Sequence, residues 1–199
     1  MASVYDLKPK FQNLLRPIAT LLANKGITAN QVTIAALVLS FLTGGLLLMF
    51  PDSKWALFLI PGVLFVRMAL NAIDGMLARE FDMKSNLGSV LNELGDILSD
   101  TVLYLPFAYV SGFIPELIVL IVVLSIISET TGIIAVQIGS DRRYEGPMGK
   151  SDRAFIFGLT AILLGFGVPT EIWLIFLQYI VSFLLVLTII NRARKALTK

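Results

Sequence analysis

Neither cysteine nor histidine occurs anywhere in the chain, and the two absences remove whole classes of chemistry. Disulfides, thiol nucleophiles, zinc sites built on Cys or His and histidine general bases are all excluded, so acid-base or metal chemistry must come from carboxylates. Charge is scarce as well. Asp, Glu, Lys and Arg make up 15% of the 199 residues, against about 25% in an ordinary soluble domain. Hydrophobic residues make up 56% and the mean hydropathy is +0.83, more apolar surface than one small globular domain can hide. The net charge of +2 gives no reason to expect nucleic acid as a partner, and the Lys and Arg residues serve better as markers of membrane topology.

The apolar residues fall into runs long enough to cross about 30 Å of hydrocarbon at about 1.5 Å per residue. The predicted spans are residues 32–50, 55–78, 87–110, 114–137, 154–168 and 171–191. Pro51, Gly112, Pro115, Gly146, Pro147 and Pro169 mark the joins. Ahead of them, residues 5–24 lack the apolar core and small-residue site of a cleavable signal. Instead Leu7, Phe11, Leu14, Leu15, Ile18, Leu21 and Leu22 recur at helical spacing while Lys8, Lys10 and Arg16 fall elsewhere, which predicts an amphipathic helix lying in the membrane interface, kinked at Pro17.

With a cytoplasmic amino terminus, fourteen of the sixteen basic residues fall in cytoplasmic segments; Lys54 lies outside and Arg67 within a span. This bias predicts an even number of crossings with both termini in the cytoplasm. The expected fold is therefore all-α: a polytopic membrane protein with six transmembrane helices and an N-terminal amphipathic interfacial helix. It reads as one domain over residues 1–199, comprising an interfacial helix and loop (1–31), a six-helix bundle (32–191) and a basic cytoplasmic tail (192–199), placed in the plasma (inner) membrane.

Ionisable groups at membrane depth cost about 2.5–3.5 kcal/mol each on insertion scales, and they mark function. Here they cluster on two spans. At about 100° per residue, Arg67, Asn71, Asp74 and Ala78 fall within an arc of about 60° on the second span. On the third, Gly88, Asn92, Asp96 and Asp100 recur every four residues, with Glu93 at the edge of the same face. Two polar stripes on consecutive antiparallel helices converge near the cytoplasmic surface. Carboxylates gathered in a poorly hydrated place repel one another unless a cation neutralises them, and all-oxygen donors suit a hard divalent ion that completes its shell with substrate phosphates. Gly75, Ala78, Gly88 and Gly95 permit close approach of a helix or a substrate. Arg67 and Glu129 read either as buried ion-pair partners or, for Arg67, as a cavity residue beside Asp74.

Residues 71–96 run Asn-Ala-Ile-Asp-Gly-Met-Leu-Ala-Arg, eight residues, then Gly-Ser-Val-Leu-Asn-Glu-Leu-Gly-Asp. This resembles the signature of the CDP-alcohol phosphatidyltransferases, D-x-x-D-G-x-x-A-R, eight residues, G-x-x-x-D-x-x-x-D, with the same spacing throughout. Ile27-Thr28-Ala29-Asn30-Gln31-Val32-Thr33 before the first span also fits, since family members often have Thr-Pro-Asn there. The resemblance implies transfer of a phosphoalcohol moiety from a CDP-linked lipid such as CDP-diacylglycerol to a small alcohol, with release of CMP, in phospholipid biosynthesis. It further implies Mg²⁺ or Mn²⁺ as cofactor, Asp74 and Asp96 as metal ligands, Asp96 as the base for the acceptor hydroxyl, and Asp74, Gly75, Ala78, Arg79 and Gly88 against the nucleotide and its phosphates. Relatives commonly form homodimers.

Two signature aspartates are replaced, by Asn71 and Asn92. Amide oxygens still ligate hard cations but carry no charge. Glu93 and Asp100, on the Asp96 face, are candidates to replace the lost acids. The alternatives are a single-metal site using Asp74, Asp96 and Asp100, or a catalytically altered member that binds CDP-lipid or a membrane partner without turnover. A small secondary transporter would also carry charges near the membrane interior, but predicts no signature spacing. In the loop before the fifth span, Arg142 and Arg143 satisfy the positive-inside rule. Gly149, Lys150 and Arg153 sit beside a helix amino terminus, an anion site. Family members that take phosphorylated alcohols often have Gly-Lys and a further basic residue here, which makes Lys150 and Arg153 candidate acceptor-binding residues. Ser151 or Asp152 is the candidate cap of that helix.

Overall fold

A computed structural model of the chain describes residues 4–198, and all regular structure among them is helical. Seven α-helices follow in order: α1 (Val4–Asn24), α2 (Ala29–Met49), α3 (Lys54–Glu80), α4 (Asn86–Tyr104), α5 (Pro115–Gln137), α6 (Lys150–Gly165) and α7 (Glu171–Leu197). A short 3-10 turn (Leu105–Tyr109) continues α4. Lys199 and the side chains of Leu7, Lys8 and Lys10 lie outside the described residues.

Four helices, α2, α3, α5 and α7, are long and apolar enough to cross a membrane, which makes the chain an integral membrane protein. The two other predicted spans differ for identifiable reasons. Helix α4 carries Asn92, Glu93, Asp96 and Asp100 within 19 residues. It also stops at Tyr104 and not at 110, because Pro106 cannot donate to the helical ladder and disfavours helix at the residue before it. Helix α6 has 16 residues, about 24 Å of rise, short of the hydrocarbon thickness.

The helices pack by the rule of a bilayer, where small and polar residues face one another and large apolar ones face lipid. The buried face of α2 is Ala29, Val32, Thr33, Ala36, Ser40, Thr43, Gly44 and Leu47, whereas Val38, Phe41, Leu42 and Leu48 are exposed. Gly44 lets α2 meet α4 backbone to backbone, since a Cβ there would collide with the Val102 carbonyl. The larger core is centred on Tyr104, stacked on Phe157 at 4.2 Å, with Phe107 edge-on at 5.0 Å.

A second, smaller core joins Leu15 and Ala19 of α1 to Val32 of α2 and Ile73, Met76 and Leu77 of α3, so α1 seats its buried stripe on α3 while Leu14, Ile18 and Leu21 stay exposed. Pro17 does not end α1. Thr28 and Gln31 start α2 by capping each other reciprocally, at 3.3 and 2.9 Å. The Ser85 hydroxyl starts α4 by accepting from the Gly88 N–H at 2.9 Å. Helix α2 packs on both α3 and α4, and α6 packs on α3. The polar stripes of α3 and α4 thus face each other across a gap bridged by side chains.

Candidate active site

The bridges come in two layers. In the shallower one, Asn71 of α3 donates its amide to Asp96 Oδ1 of α4 at 3.1 Å, and the Lys150 ammonium from the first turn of α6 ion-pairs with the same oxygen. Asp74, one turn along α3 from Asn71, is 5% exposed. Its Oδ2 lies 2.7 Å from the Thr33 hydroxyl of α2, which is 3.1 Å from the Ala29 carbonyl. With a single proton to give, Thr33 favours the nearer, charged acceptor. Among the described residues, Asp74 Oδ1 and Asp96 Oδ2 accept no side-chain hydrogen bond.

In the deeper layer every carboxylate oxygen is taken, although Arg67 Nε and Arg192 Nε are buried without a partner among the described residues. Asp100 accepts from Arg67 Nη1 at 2.5 Å on one oxygen and from Arg153 Nη2 and Nε at 2.7 and 3.1 Å on the other. Arg153, fully buried, also donates to Glu129 Oε1 at 3.0 Å and to the Met148 carbonyl at 3.2 Å. Glu129 Oε2 in turn takes Arg142 at 3.0 Å and pairs with Arg192 at 3.3 Å. Arg142 closes the chain by gripping both oxygens of Glu93, each at 2.9 Å. In this loop arginine, burial opposes the charge, but hydrogen bonds and proximity to Glu93 and Glu129 override it and raise the pKa above its ordinary value.

The structure therefore sorts the predicted site residues. Asn71, Asp74, Asp96 and Lys150 come together. Asp100 and Glu93 are on the expected face of α4, but both oxygens of each are held by arginine. Arg153 lies beneath the site, its guanidinium spent on Asp100, Glu129 and Met148. Asn92 is exposed and lines a chamber of about 370 Å³ that Asp96 and Lys150 share. A Cβ on Gly75 would lie 2.8 Å from Arg79 Nη2, so the arginine folds back over the glycine. Ala78 is partly buried against the second core. A Cβ on Gly88 would lie 2.7 Å from Asn30 Oδ1.

Of the two readings of Arg67 and Glu129, the ion-pair one describes what they do, while Arg67 also reaches the Asp96 backbone carbonyl at 3.1 Å. Asp152, not Ser151, caps α6, accepting from the Gly149 N–H at 2.9 Å.

Among the described residues no three acidic side chains converge in a form able to hold a metal ion. The available set is two carboxylates, Asp74 and Asp96, one from each helix and each with an oxygen to spare, flanked by the amides of Asn71 and Asn92. Hard oxygen donors of this number and charge fit one Mg²⁺ or Mn²⁺ that keeps positions for substrate phosphates. They do not fit a pair of metals bridged by four carboxylates.

Sequence reasoning missed several contributors. Arg192 reads as one basic residue of a cytoplasmic tail, yet α7 continues through it, and its side chain, 1% exposed, donates to the Ser128 carbonyl at 2.7 Å. Arg142 satisfies the positive-inside rule so well that nothing marks it as the partner of Glu93. Thr33 is visible only as the end of the Thr-Ala-Asn segment. Gly132 admits the Arg142 side chain and the Arg143 carbonyl against α5.

A family model for CDP-alcohol phosphatidyltransferase matches residues 26–195. The inner membrane protein YnbA of Escherichia coli (strain K12) is 47% identical over 195 residues, which cover 98% of this chain and 96% of that protein. Two crystal structures of Mycobacterium tuberculosis phosphatidylinositol phosphate synthase share the fold. The one with CDP-DAG bound has a TM-score of 0.73 at 20% identity, covering 94% of each chain. The one in complex with manganese and citrate has a TM-score of 0.76 at 22% identity, covering 92% of this chain and 89% of that one.

Proposed function

Because the chain belongs to the CDP-alcohol phosphatidyltransferase family, we propose that it transfers a phosphatidyl group from CDP-diacylglycerol to the hydroxyl of a small alcohol, releasing CMP. It is a transferase of substituted phosphate groups. The observation that carries the specific reading is that Asp74 and Asp96, on facing helices, each keep an oxygen that no side chain occupies, while both oxygens of Glu93, Asp100 and Glu129 are taken by arginine.

The acceptor oxygen attacks the phosphorus that bears the diacylglycerol. A new P–O bond forms as the P–O bond to CMP breaks, CMP leaves with the bridging oxygen and its electron pair, and the hydroxyl proton passes to Asp96. Asp74 and Asp96, with the amide oxygens of Asn71 and Asn92, would hold one divalent cation, which would neutralise charge on the pyrophosphate. Arg79 turns from its fold over Gly75 to the phosphates, and the small residues Gly75, Ala78 and Gly88 leave room for the nucleotide. Asp100, Glu93 and Arg153 act one step removed, fixing α4 against α3, α5 and α6 so that Asp96 keeps its position.

The donor is lipid and nucleotide at once, which favours a site at the cytoplasmic boundary of the inner membrane. In this reading α4 and α6 complete six crossings by sheltering among α2, α3 and α5, both termini are cytoplasmic, α1 lies in the interface with Leu14, Ile18 and Leu21 toward lipid, and two copies pair as in relatives. The test is purified protein in vesicles with CDP-diacylglycerol, Mn²⁺ or Mg²⁺ and a panel of alcohols. Acceptor-dependent CMP release that a chelator stops is the expected result, and no release with any alcohol refutes it. The uncharged Asn71 and Asn92 favour a second reading, a member that binds CDP-lipid without turnover, for which binding without CMP release is the signature.

A further inference from the structure

The last two turns of α3 present different residues on two sides. At about 100° per residue, Ile73, Met76, Leu77 and Glu80 fall within an arc of about 100°, while Asp74, Gly75, Ala78 and Arg79 fall on the other side. The second set is the one that the transferase reading brings to the cation and the nucleotide. The first set is covered by α1. Ile73, Met76 and Leu77 are buried in the second core with Leu15 and Ala19, and Glu80 is gripped by Arg16, Nε to Oε2 and Nη2 to Oε1, each at 3.1 Å. Arg16 Nη1 donates to Asn13 Oδ1 at 2.9 Å, so all three nitrogens of the guanidinium are engaged and its direction is fixed.

Both members of the pair are exposed, and ion pairs in that setting add little to overall stability. The position of this one gives it another use. Glu80 is the final residue of α3, and a carboxylate at a helix C-terminus opposes the macrodipole and favours fraying of the last turn. Arg79 stands in that same turn, and its fold over Gly75 needs the turn wound. Arg16 cancels the Glu80 charge from a helix that is seated one residue away by the buried Leu15. A planar, bidentate grip also fixes the direction of its partner, which a point charge does not. Arg16 precedes residues 26–195, the part of the chain that the family model matches.

Resting on the transferase reading above, we propose that Arg16 and Glu80 are positioning residues: the pair ties the end of α3 to α1 and so presets Arg79 for the phosphates of the CDP-linked donor. Neither residue touches substrate.

Two arms test this with the full-length protein. In vesicles with CDP-diacylglycerol, Mn²⁺ and the alcohol that gives the most CMP release, Arg16→Gln should raise the KM for CDP-diacylglycerol about two- to fivefold. Its kcat and melting temperature should stay close to those of the wild type. The exchanged pair, Arg16→Glu with Glu80→Arg, keeps the net charge of the wild type and should recover most of the lost KM. An unchanged KM in Arg16→Gln, or an exchanged pair as impaired as the single variant, overturns the proposal. A fall in kcat and melting temperature in place of the KM change marks a merely structural pair and overturns it too.

The second arm needs no ligand. Because the chain contains no cysteine, Lys84→Cys and Lys195→Cys, both at exposed positions, accept a pair of spin labels that reports where the chain leaving α3 stands relative to α7. In detergent, Arg16→Gln should broaden the distance distribution and the exchanged pair should narrow it again. The same distribution in wild type, single variant and exchanged pair overturns the proposal. If no alcohol releases CMP, the transferase reading fails, and the spin-label arm alone decides whether the pair holds the end of α3.

Discussion

Two layers of charge a single helical turn apart follow opposite rules. In the deep layer, Asp100 and Glu129 are each gripped by two or more arginines, and Arg153 and Arg192 are at most 1% exposed. In the shallow layer, Asp74 and Asp96 each leave an oxygen unclaimed, and one of the groups that touch Asp96 is a lysine that a stronger cation can displace. Saturation and burial make the first layer a structural girdle around α3, α4, α5, α6 and α7. Incomplete satisfaction beside a chamber makes the second a place for chemistry. Formal charge does not separate them. The separation lies in how many hydrogen bonds each carboxylate already has.

Breaking the girdle should have the largest effect. Arg153→Met leaves Asp100 and Glu129 short of a partner in the protein interior, at a cost of about 3–5 kcal/mol. Thermal unfolding in detergent should show a large drop, and CMP release should fall with the folded protein and with the displacement of Asp96 in what remains folded. Asp96→Asn is the opposite experiment. Asp96 is partly exposed and the change is isosteric, so the melting temperature should hardly move. Loss of the base should lower CMP release by about 10²–10⁴-fold. If the melting temperature falls as far for Asp96→Asn as for Arg153→Met, the two layers are one.

Asn71→Asp sharpens the comparison at a smaller scale. It adds a third acid to the shallow layer, where the nearby Arg67 is already engaged by Asp100 and by Asp96, and should tighten Mn²⁺ binding by about an order of magnitude, as added ligand charge does at oxygen sites. Titration of Mn²⁺ followed by electron paramagnetic resonance reads this without any turnover. Unchanged affinity would place Asn71 outside the cation's reach.

The shallow layer was legible in the sequence because its logic is periodic. Asn71 and Asp74 on one helix, Asn92 and Asp96 on the next, fall on single faces at helical spacing, and carboxylates in an apolar span stand out by themselves. The girdle was half legible. Arg67, Asp100 and Glu129 were visible as charges needing partners, but Arg142, Arg153 and Arg192 are the kind of residue that any cytoplasmic loop or helix end contains. Which arginines turn inward depends on where α5, α6 and α7 sit around the site, and no local pattern encodes that. The gap between α3 and α4 was hidden for a similar reason. It is held open because α2 packs on both, through residues such as Gly44 whose role appears only when the Val102 carbonyl is beside it. Pro106, by contrast, was readable and should have shortened the third span.

The one direct contribution of α2 to the shallow layer is Thr33, and it supplies the smallest of these predictions. Its hydroxyl donates to Asp74 at 2.7 Å, and Asp74 is too buried for water to replace the bond freely. Thr33→Val keeps the shape and removes the donor, so the carboxylate loses one charge-assisted hydrogen bond, about 1.5–3 kcal/mol in a dry site. A bound divalent cation restores most of the lost stabilisation, because it satisfies the same carboxylate from the other side. Thermal unfolding without metal should therefore show a modest decrease that Mn²⁺ largely erases, while CMP release at saturating Mn²⁺ falls by only a few-fold. Thr33→Ser, which keeps the hydroxyl, should behave as wild type in both measurements. A Thr33→Val protein that stays destabilised to the same degree with and without Mn²⁺ would mean that Asp74 belongs with the girdle, as a carboxylate whose partners are all protein.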